Sequence, residues 1–247
     1  MKPLLKTTLT FALALVVFTS NQLAAKTHVI HAGNVLAIPG KPLLTKQTIV
    51  VIDGKITELK SGFIPAINIA KDAQLVDLSN SYVMPGLMDM HVHLQGELGP
   101  KNDSKKLRMS DSDKLVESAY FAKKTLLAGF TTVRDLGGTP EQIFALRDGI
   151  AKGYLQGPRI FAAGSNVAVT GGHGDVDGMS PDLLEMHTAK TVCDGPYDCR
   201  RATRHAIKFG ADVIKITSTG GVLSDTNTGT GQQMADDELK EVINAAH

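Results

Sequence analysis

The chain has 247 residues, of which 43% are hydrophobic, 21% charged and 5% aromatic. These fractions are typical of a globular protein and exclude a disordered, collagen-like or polytopic membrane chain. The 26 Lys and Arg residues nearly balance the 25 Asp and Glu residues, so the net charge gives no indication of a nucleic-acid partner.

Residues 1–25 have the pattern of a secretory signal peptide. They contain no acidic residue, carry Lys2 and Lys6 near the start, are apolar over most of 9–18 and end in Ala24 and Ala25. The apolar stretch is too short to span a bilayer comfortably. We therefore expect export to the periplasm or the medium, with no stable membrane anchor. An uncleaved N-terminal anchor is the alternative.

Residues 26–84 predict a small antiparallel β-sandwich portion. Short runs rich in β-branched residues are separated by turn residues, and they cover 27–30, 35–38, 48–52, 55–59 and 74–77. The pair Asp53-Gly54 stands between two of these runs and is a strong signal for a two-residue hairpin.

Residues 85–247 predict an α/β domain, because short apolar strands alternate with helical patterns. The strands are predicted at 87–94, 130–135, 158–163 and 212–217, and the helices at 112–128, 140–152, 198–209 and 235–247. Glycine-rich loops are predicted over 164–197 and 218–233. Four βα units in succession favour a parallel sheet with the helices outside it.

Two histidines at the end of the first of these strands are candidate metal ligands. His91 and His93 are two residues apart, and on a strand such residues point the same way, about 7 Å apart along the chain. They would lie at the carboxyl end of a parallel strand, where the active sites of barrel enzymes are found. The alternative is a pair of histidines on a polar strand face.

Lys215 stands within an otherwise apolar strand of the fourth unit. Burial of a free ammonium group is costly, so this lysine reaches solvent, meets an acidic partner or has a chemical role. A desolvated amine with a lowered pKa can react with CO₂. The resulting carbamate could bridge two metal ions about 3.5–4 Å apart.

Three segments together resemble the amidohydrolase superfamily: 83–93 with both histidines, 128–135, and 210–216 with Lys215. The resemblance extends from about residue 27 to the end. It is closest to the imidazolonepropionase-related branch, which includes exported Xaa-Pro and Xaa-Arg dipeptidases and ochratoxin-hydrolysing enzymes. It implies a (β/α)₈ TIM barrel preceded by a composite β-sandwich domain.

The same resemblance implies a site and a reaction. His91 and His93 match the first-strand metal ligands, and Lys215 matches the fourth-strand lysine that is carboxylated in binuclear members. A metal-bound hydroxide would attack an amide or peptide C–N bond, and an Asp of the last strand would move the proton. We expect one or two divalent ions, zinc first, with cobalt, manganese and iron as alternatives.

The resemblance leaves the substrate open. A dipeptide-like or other small-molecule substrate is expected, and a cyclic-amide hydrolase or deaminase of the same superfamily is the alternative. The oligomeric state is open as well, a homo-oligomer included.

The loop after the third predicted strand is a candidate substrate site. Its glycines, Gly172 among them, let backbone amides approach a ligand, and His173 could donate to a substrate carboxylate or to the developing oxyanion. A flexible loop with an exposed histidine is the alternative.

Cys193 and Cys199 enclose Gly195 and Pro196 and could close a small ring in an oxidising compartment. Two free thiols are the alternative.

The family pattern requires more ligands than these residues contain. Two further histidines and the acid would follow on later strands, and four βα units are visible where eight are expected. The sequence thus predicts an N-terminal fragment, with the catalytic Asp beyond residue 247, that is inactive by itself. A truncated non-catalytic product and a half-barrel that dimerises are the alternatives.

Overall fold

A computed structural model of the chain describes residues 26–97, 99, 108–222 and 229–247. Two compact units divide the chain between Pro85 and Gly86. The predicted signal peptide, residues 1–25, lies outside the described residues. Within those residues, the structure contains no helix of the length and apolarity that a membrane crossing requires.

The first unit is a four-stranded sheet with the strand order β3-β2-β1-β4. Its strands are β1 (Thr27–Val35), β2 (Leu44–Ile52), β3 (Lys55–Ser61) and β4 (Gln74–Val83), and a short 3₁₀ helix at Ala66–Asn68 precedes β4. The hairpins β1–β2 and β2–β3 are antiparallel, but β4 pairs with β1 in parallel. The prediction of a purely antiparallel layer was therefore wrong, because the connection through the 3₁₀ helix returns the chain to the far side of β1.

Of two glycines between the predicted strands of this unit, one lies in a turn and the other within a strand. Asp53 and Gly54 both have positive φ, 48° and 75°, and they form the predicted hairpin turn between β2 and β3. Gly33, by contrast, lies inside β1 at a register shift rather than in a turn. A Cβ at this glycine would lie 2.2 Å from the carbonyl oxygen of Ser79. β1 thus continues from the first predicted run, 27–30, through Gly33 to Val35, because glycine permits the irregular pairing with β4, whereas residues 36–38 of the second predicted run lie outside any strand.

The second unit has a mixed α/β fold with a parallel three-stranded sheet in the order β5-β6-β7. Its elements are β5 (Leu87–Val92), α1 (Asp111–Leu127), β6 (Phe130–Asp135), α2 (Pro140–Ala151), β7 (Arg159–Ala162), α3 (Pro181–His187), α4 (Pro196–Lys208) and α5 (Asp236–Ala246). The predicted alternation is confirmed for the first three strands. The short helix α3 lies within the predicted loop 164–197 and was missed.

The fourth predicted strand, 212–217, does not form a ladder. Its start is held by a hydrogen bond from the Asp212 amide to the Ala162 carbonyl, 2.9 Å, and one parallel bridge joins Val167 to Ile216. The reason is an interruption in its neighbour: β7 ends at Ala162, and Gly164 takes a positive φ of 69° before pairing resumes at Val167. The segment is extended, but the regular pairing is broken.

Two apolar clusters form the core of this unit. The first joins α1, β6, α2 and β7, with Val133, Ile143 and Leu146 fully buried. The second includes Val167, Met234 and Val242, together with Cys193 and Cys199. These cysteines form a disulfide, which decides between the ring and the free thiols that the sequence left open.

Candidate functional site

His91 and His93 present their rings side by side at the end of β5. The ring centroids are 5.5 Å apart in an edge-to-face arrangement. This follows from the alternation of side chains along an extended segment, where residues two apart share a side. Both side chains are exposed, so both can reach a ligand from the same direction.

A backbone carbonyl fixes the orientation of the His93 ring. Its Nδ1 lies 2.9 Å from the carbonyl oxygen of Gly137, and donation from Nδ1 leaves the lone pair of Nε2 free for an ion. Space is tight at this contact, because a Cβ on Gly137 would lie 2.8 Å from Asn166 Oδ1 and 3.3 Å from His93 Cε1. Glycine at position 137 therefore leaves the space that the contact between the His93 ring and the Gly137 carbonyl needs.

The surroundings of His91 favour its neutral form. Desolvation lowers the pKa of the His91 imidazole, and the positive charges of Lys215, His93 and Arg134 lower this pKa further, against an opposing effect of Asp89. Neutral imidazole is the form that binds a metal ion. Lys215 is therefore near enough to His91 for its charge to act on the imidazole.

A buried carboxylate close to His93 was not among the predicted site residues. Asp135, at the end of β6, is fully buried and accepts hydrogen bonds from the amides of Leu94, at 2.7 Å, and Gly137, at 3.3 Å. Burial raises the pKa of the Asp135 carboxyl, and these two hydrogen bonds oppose the shift. The Asp135 carboxylate therefore connects the backbone of Leu94, which follows His93, to the backbone of Gly137, whose carbonyl oxygen contacts the His93 ring.

An ion pair holds the start of the segment that carries Lys215. Asp212 Oδ2 accepts from Arg147 Nη1 at 2.8 Å and from the Ala162 amide at 2.9 Å. Arg147 also donates to the Gly210 carbonyl at 2.7 Å. Lys215 itself is half-buried, and no acidic side chain in the described part of the chain forms an ion pair with it.

The two remaining predicted site residues lie in the substrate loop, defined here as residues 170–175. Gly172 is buried, and a Cβ there would lie 3.0 Å from the Val169 carbonyl oxygen. The amide of the exposed His173 donates to Gln233 Oε1 at 2.9 Å, and its ring lies so close to Gly221 that a Cβ there would be 2.3 Å from Cε1. The loops after β7 and after Lys215 therefore meet at His173.

The structure thus brings His91, His93 and Lys215 into one neighbourhood, whereas the contacts described for His173 are with Gln233 and Gly221. Within the described ranges there is no cluster of three or more His, Cys, Asp or Glu side chains that could hold a metal ion. Two histidines and one lysine are a partial ligand set.

Two buried polar atoms near Lys215 also escaped the sequence reasoning. Asn166 Oδ1 and Thr217 Oγ1 have no hydrogen-bond partner among the described residues. They adjoin the bridge between Val167 and Ile216, where the Val167 amide donates to the Lys215 carbonyl at 2.8 Å. Buried polar groups are nearly always paired, so these two atoms are exceptions within the described residues. No periodicity or motif indicates them in the sequence.

Comparison with known proteins gives relatives over most of the chain. An ochratoxinase of Aspergillus niger is 28% identical over 239 residues, which cover 90% of this chain and 48% of the relative. The crystal structure of the A. niger ochratoxinase superposes with a TM-score of 0.73 at 26% identity, over 90% of this chain and 53% of that one.

A Xaa-Pro dipeptidase with methionine bound in its active site superposes with a TM-score of 0.80 at 36% identity, over 90% of this chain and 54% of that one. The chain therefore spans about half the length of the relatives that it matches. The parallel sheet with intervening helices is the architecture of part of a (β/α)₈ barrel. The model of the amidohydrolase family matches residues 82–247, and the chain belongs to this family.

Proposed function

We propose that the protein is a metal-dependent hydrolase that cleaves an amide C–N bond in a small, dipeptide-like substrate. The observation that carries the proposal is the side-by-side placement of His91 and His93 near Lys215, in a chain of the amidohydrolase family. The ochratoxinase and the Xaa-Pro dipeptidase support an amide bond as the target. A prolidase complexed with N-methylphosphonate-L-proline, 29% identical with a TM-score of 0.71, supports a dipeptide-like substrate.

The residues present fit a divalent ion. Nε2 of His93 is left free by the contact with Gly137, and the lowered pKa of His91 keeps its lone pair available at neutral pH. A bound ion, zinc by our proposal, would polarise the amide carbonyl and lower the pKa of water. His91 and His93 would hold it, with Lys215 as a third ligand.

Lys215 can act as a ligand only when its amine is neutral or modified. Its amine would add to CO₂ with loss of a proton, and the carboxylated Lys215 would offer two oxygens to one or two ions. The absence of a carboxylate partner among the described residues leaves its Nζ available for this reaction.

His173 and Gly172 would form the substrate side of the site. The His173 ring can donate to a substrate carboxylate or to the oxygen on which negative charge develops. We also propose that residues 1–25 direct the protein out of the cytoplasm, in keeping with the disulfide between Cys193 and Cys199.

The test uses the natural full-length protein. Metal content would be measured by mass spectrometry, and hydrolysis would be assayed with Xaa-Pro dipeptides, N-acyl amino acids and cyclic amides. We expect bound zinc and cleavage of the first two classes. Exclusive cleavage of cyclic amides would contradict the dipeptide-like substrate.

Substitutions test the ligands. His91→Ala with His93→Ala should remove bound metal and turnover, whereas His187→Ala, at the exposed end of α3, should change neither. Lys215→Ala should lower the metal content, with partial rescue by short carboxylic acids. Full metal content and turnover in the double histidine variant would refute the proposed site.

A further inference from the structure

The disulfide ring, residues 193–199, lies beside the substrate loop. Asp194 belongs to this ring and binds the first residue of the loop. The Thr170 hydroxyl donates to Asp194 Oδ2 at 2.6 Å, and the Thr170 amide donates to Oδ1 at 3.4 Å. We propose that Asp194 is a positioning residue, which holds the substrate loop and His173 in the geometry that substrate binding requires. This inference rests on the proposed function, because only that function gives His173 a substrate to contact.

The ring gives Asp194 a fixed place. Cys193 and Cys199 are buried, with 1% and 0% of their surface exposed, and the Cys193 amide donates to the Ala168 carbonyl at 2.8 Å. On the other side of Asp194, the Gly195 amide donates to Glu238 Oε1 at 2.6 Å. Both neighbours of Asp194 are thus attached to the core, so its carboxylate has little freedom to follow a moving loop.

An arginine fixes the chain around the ring from outside. Arg201 donates from Nη1 to the Lys190 carbonyl at 2.8 Å and from Nη2 to the Val192 carbonyl at 3.1 Å. Its Nε donates to Asp198 Oδ1 at 2.5 Å, and Asp198 Oδ2 accepts from the Asp194 amide at 3.2 Å. The backbone of Asp194 is therefore tied to α4 by a hydrogen bond as well as by the disulfide.

Hydrogen bonds within the substrate loop connect the residues on either side of His173, so a restraint on Thr170 also restricts His173. The Gly171 amide donates to Asp175 Oδ2 at 2.9 Å, and the Asp175 amide donates to the Gly172 carbonyl at 2.9 Å. These bonds close the loop on itself on both sides of His173. Asp194 thus holds the loop at its first residue, and Gln233 accepts a hydrogen bond from the amide of His173 at its centre.

The role of Asp194 is to restrict the loop rather than to touch substrate. If the attachment at Thr170 is lost, the loop retains its internal bonds and its contacts at His173, but its first residue is no longer held. The His173 ring then samples several positions, and binding is weakened by the cost of selecting the productive one. The disulfide restricts the loop indirectly, because it holds the backbone of Asp194 in place.

The experiment compares variants of the full-length protein. Asp194→Ala removes both acceptors, and Thr170→Val removes the hydroxyl while keeping the side-chain shape. Each should change the parameter that His173→Ala changes, KM or kcat, by roughly tenfold, because each variant loses the charge-assisted hydrogen bond between the Thr170 hydroxyl and Asp194. The double variant Asp194→Ala with His173→Ala should be no worse than His173→Ala alone, since coupled residues are not additive.

Two control variants and one variant without the disulfide separate positioning from general damage. Thr170→Ser keeps the hydroxyl and should behave as the unaltered protein. Asp182→Ala removes an exposed carboxylate in the first turn of α3 and should have no kinetic effect. Cys193→Ala with Cys199→Ala should change the same parameter as Asp194→Ala, with bound metal retained.

A readout independent of turnover is the NMR signal of the His173 ring, which should broaden or shift in Asp194→Ala and Thr170→Val and stay unchanged in Thr170→Ser. Unchanged His173 signals in Asp194→Ala would overturn the inference even if the protein proves to have another activity. Kinetic effects that add in the double variant would overturn it too. Failure of the proposed function is seen separately, as absence of amide hydrolysis by the unaltered protein.

Discussion

The Nδ1 atom of His93 lies 2.9 Å from the carbonyl oxygen of Gly137, which joins the candidate ligand after β5 to the loop after β6. A metal-binding histidine usually donates its other ring nitrogen to such a partner, and loss of the partner typically costs about 10- to 100-fold in metal affinity. The contact between His93 and Gly137 is therefore expected to matter for metal binding in addition to the His93 ring.

Gly137→Ala should therefore weaken zinc binding by about tenfold or more. The new Cβ would lie 2.8 Å from Asn166 Oδ1 and 3.3 Å from His93 Cε1, so the ring or the carbonyl must move. A competition titration with a zinc chelator measures the change. The matched control is Gly96→Ala, because a Cβ at Gly96 meets nothing within 4 Å. Equal affinities in the two variants would show that the Gly137 carbonyl does not orient His93.

Asp135 should titrate above its ordinary pKa of 3.8, because burial raises the pKa of this carboxyl. A raised folded-state pKa means that the stability contribution is complete below 3.8 and is lost as the pH rises through the folded-state value. The free energy of unfolding, relative to that of Asp135→Asn, should thus fall over this interval. Carboxyl ¹³C NMR and denaturation at several pH values measure both quantities, and a midpoint below 3.8 would contradict the prediction.

Arg147→Lys should destabilise the second unit by about 1–2 kcal/mol, since a lysine cannot reproduce the three contacts of the guanidinium group with Asp148, Gly210 and Asp212. The value is modest because the side chain of Asp212 is 34% exposed. Urea denaturation measures it as a lower midpoint. Arg159→Lys, at an exposed position of β7, is the control, and equal midpoints for the two variants would show that the contacts contribute nothing.

The start of α1 should have a pH-dependent cap. Hydrogen bonds from the Ser110 hydroxyl, 2.6 Å, and amide, 3.0 Å, lower the pKa of the Asp113 carboxyl below 3.8. A lowered pKa contributes stability above 3.8 that is lost as the pH falls through the folded-state value. Ser110→Ala should move the Asp113 titration upward in ¹³C NMR, whereas the neighbouring Ser112→Ala should leave it in place. A titration that is identical in both variants would exclude the cap.

Local patterns in the sequence were sufficient for most individual elements. The Asp53-Gly54 hairpin forms as predicted, because two residues of positive φ are what such a turn requires. The four predicted helices of the second unit begin and end within about two residues of their predicted bounds, since apolar spacing and a terminal glycine are local signals, whereas the short helix α3 was not predicted. The HxH spacing of His91 and His93 placed both rings on one side, because an extended chain alternates its side chains.

Only the tertiary structure decided relationships between distant segments. The parallel pairing of β4 with β1 depends on the path of the connection between β3 and β4, and the loss of regular pairing over 212–217 depends on where its neighbour β7 ends. No sequence pattern indicates the contact of Asp135 with Leu94 or that of Asp194 with Thr170, because each contact joins residues far apart along the chain. The sequence by itself determined which residues are candidates for the chemistry, because spacing and residue type are local properties, whereas long-range packing determined which neighbours they contact.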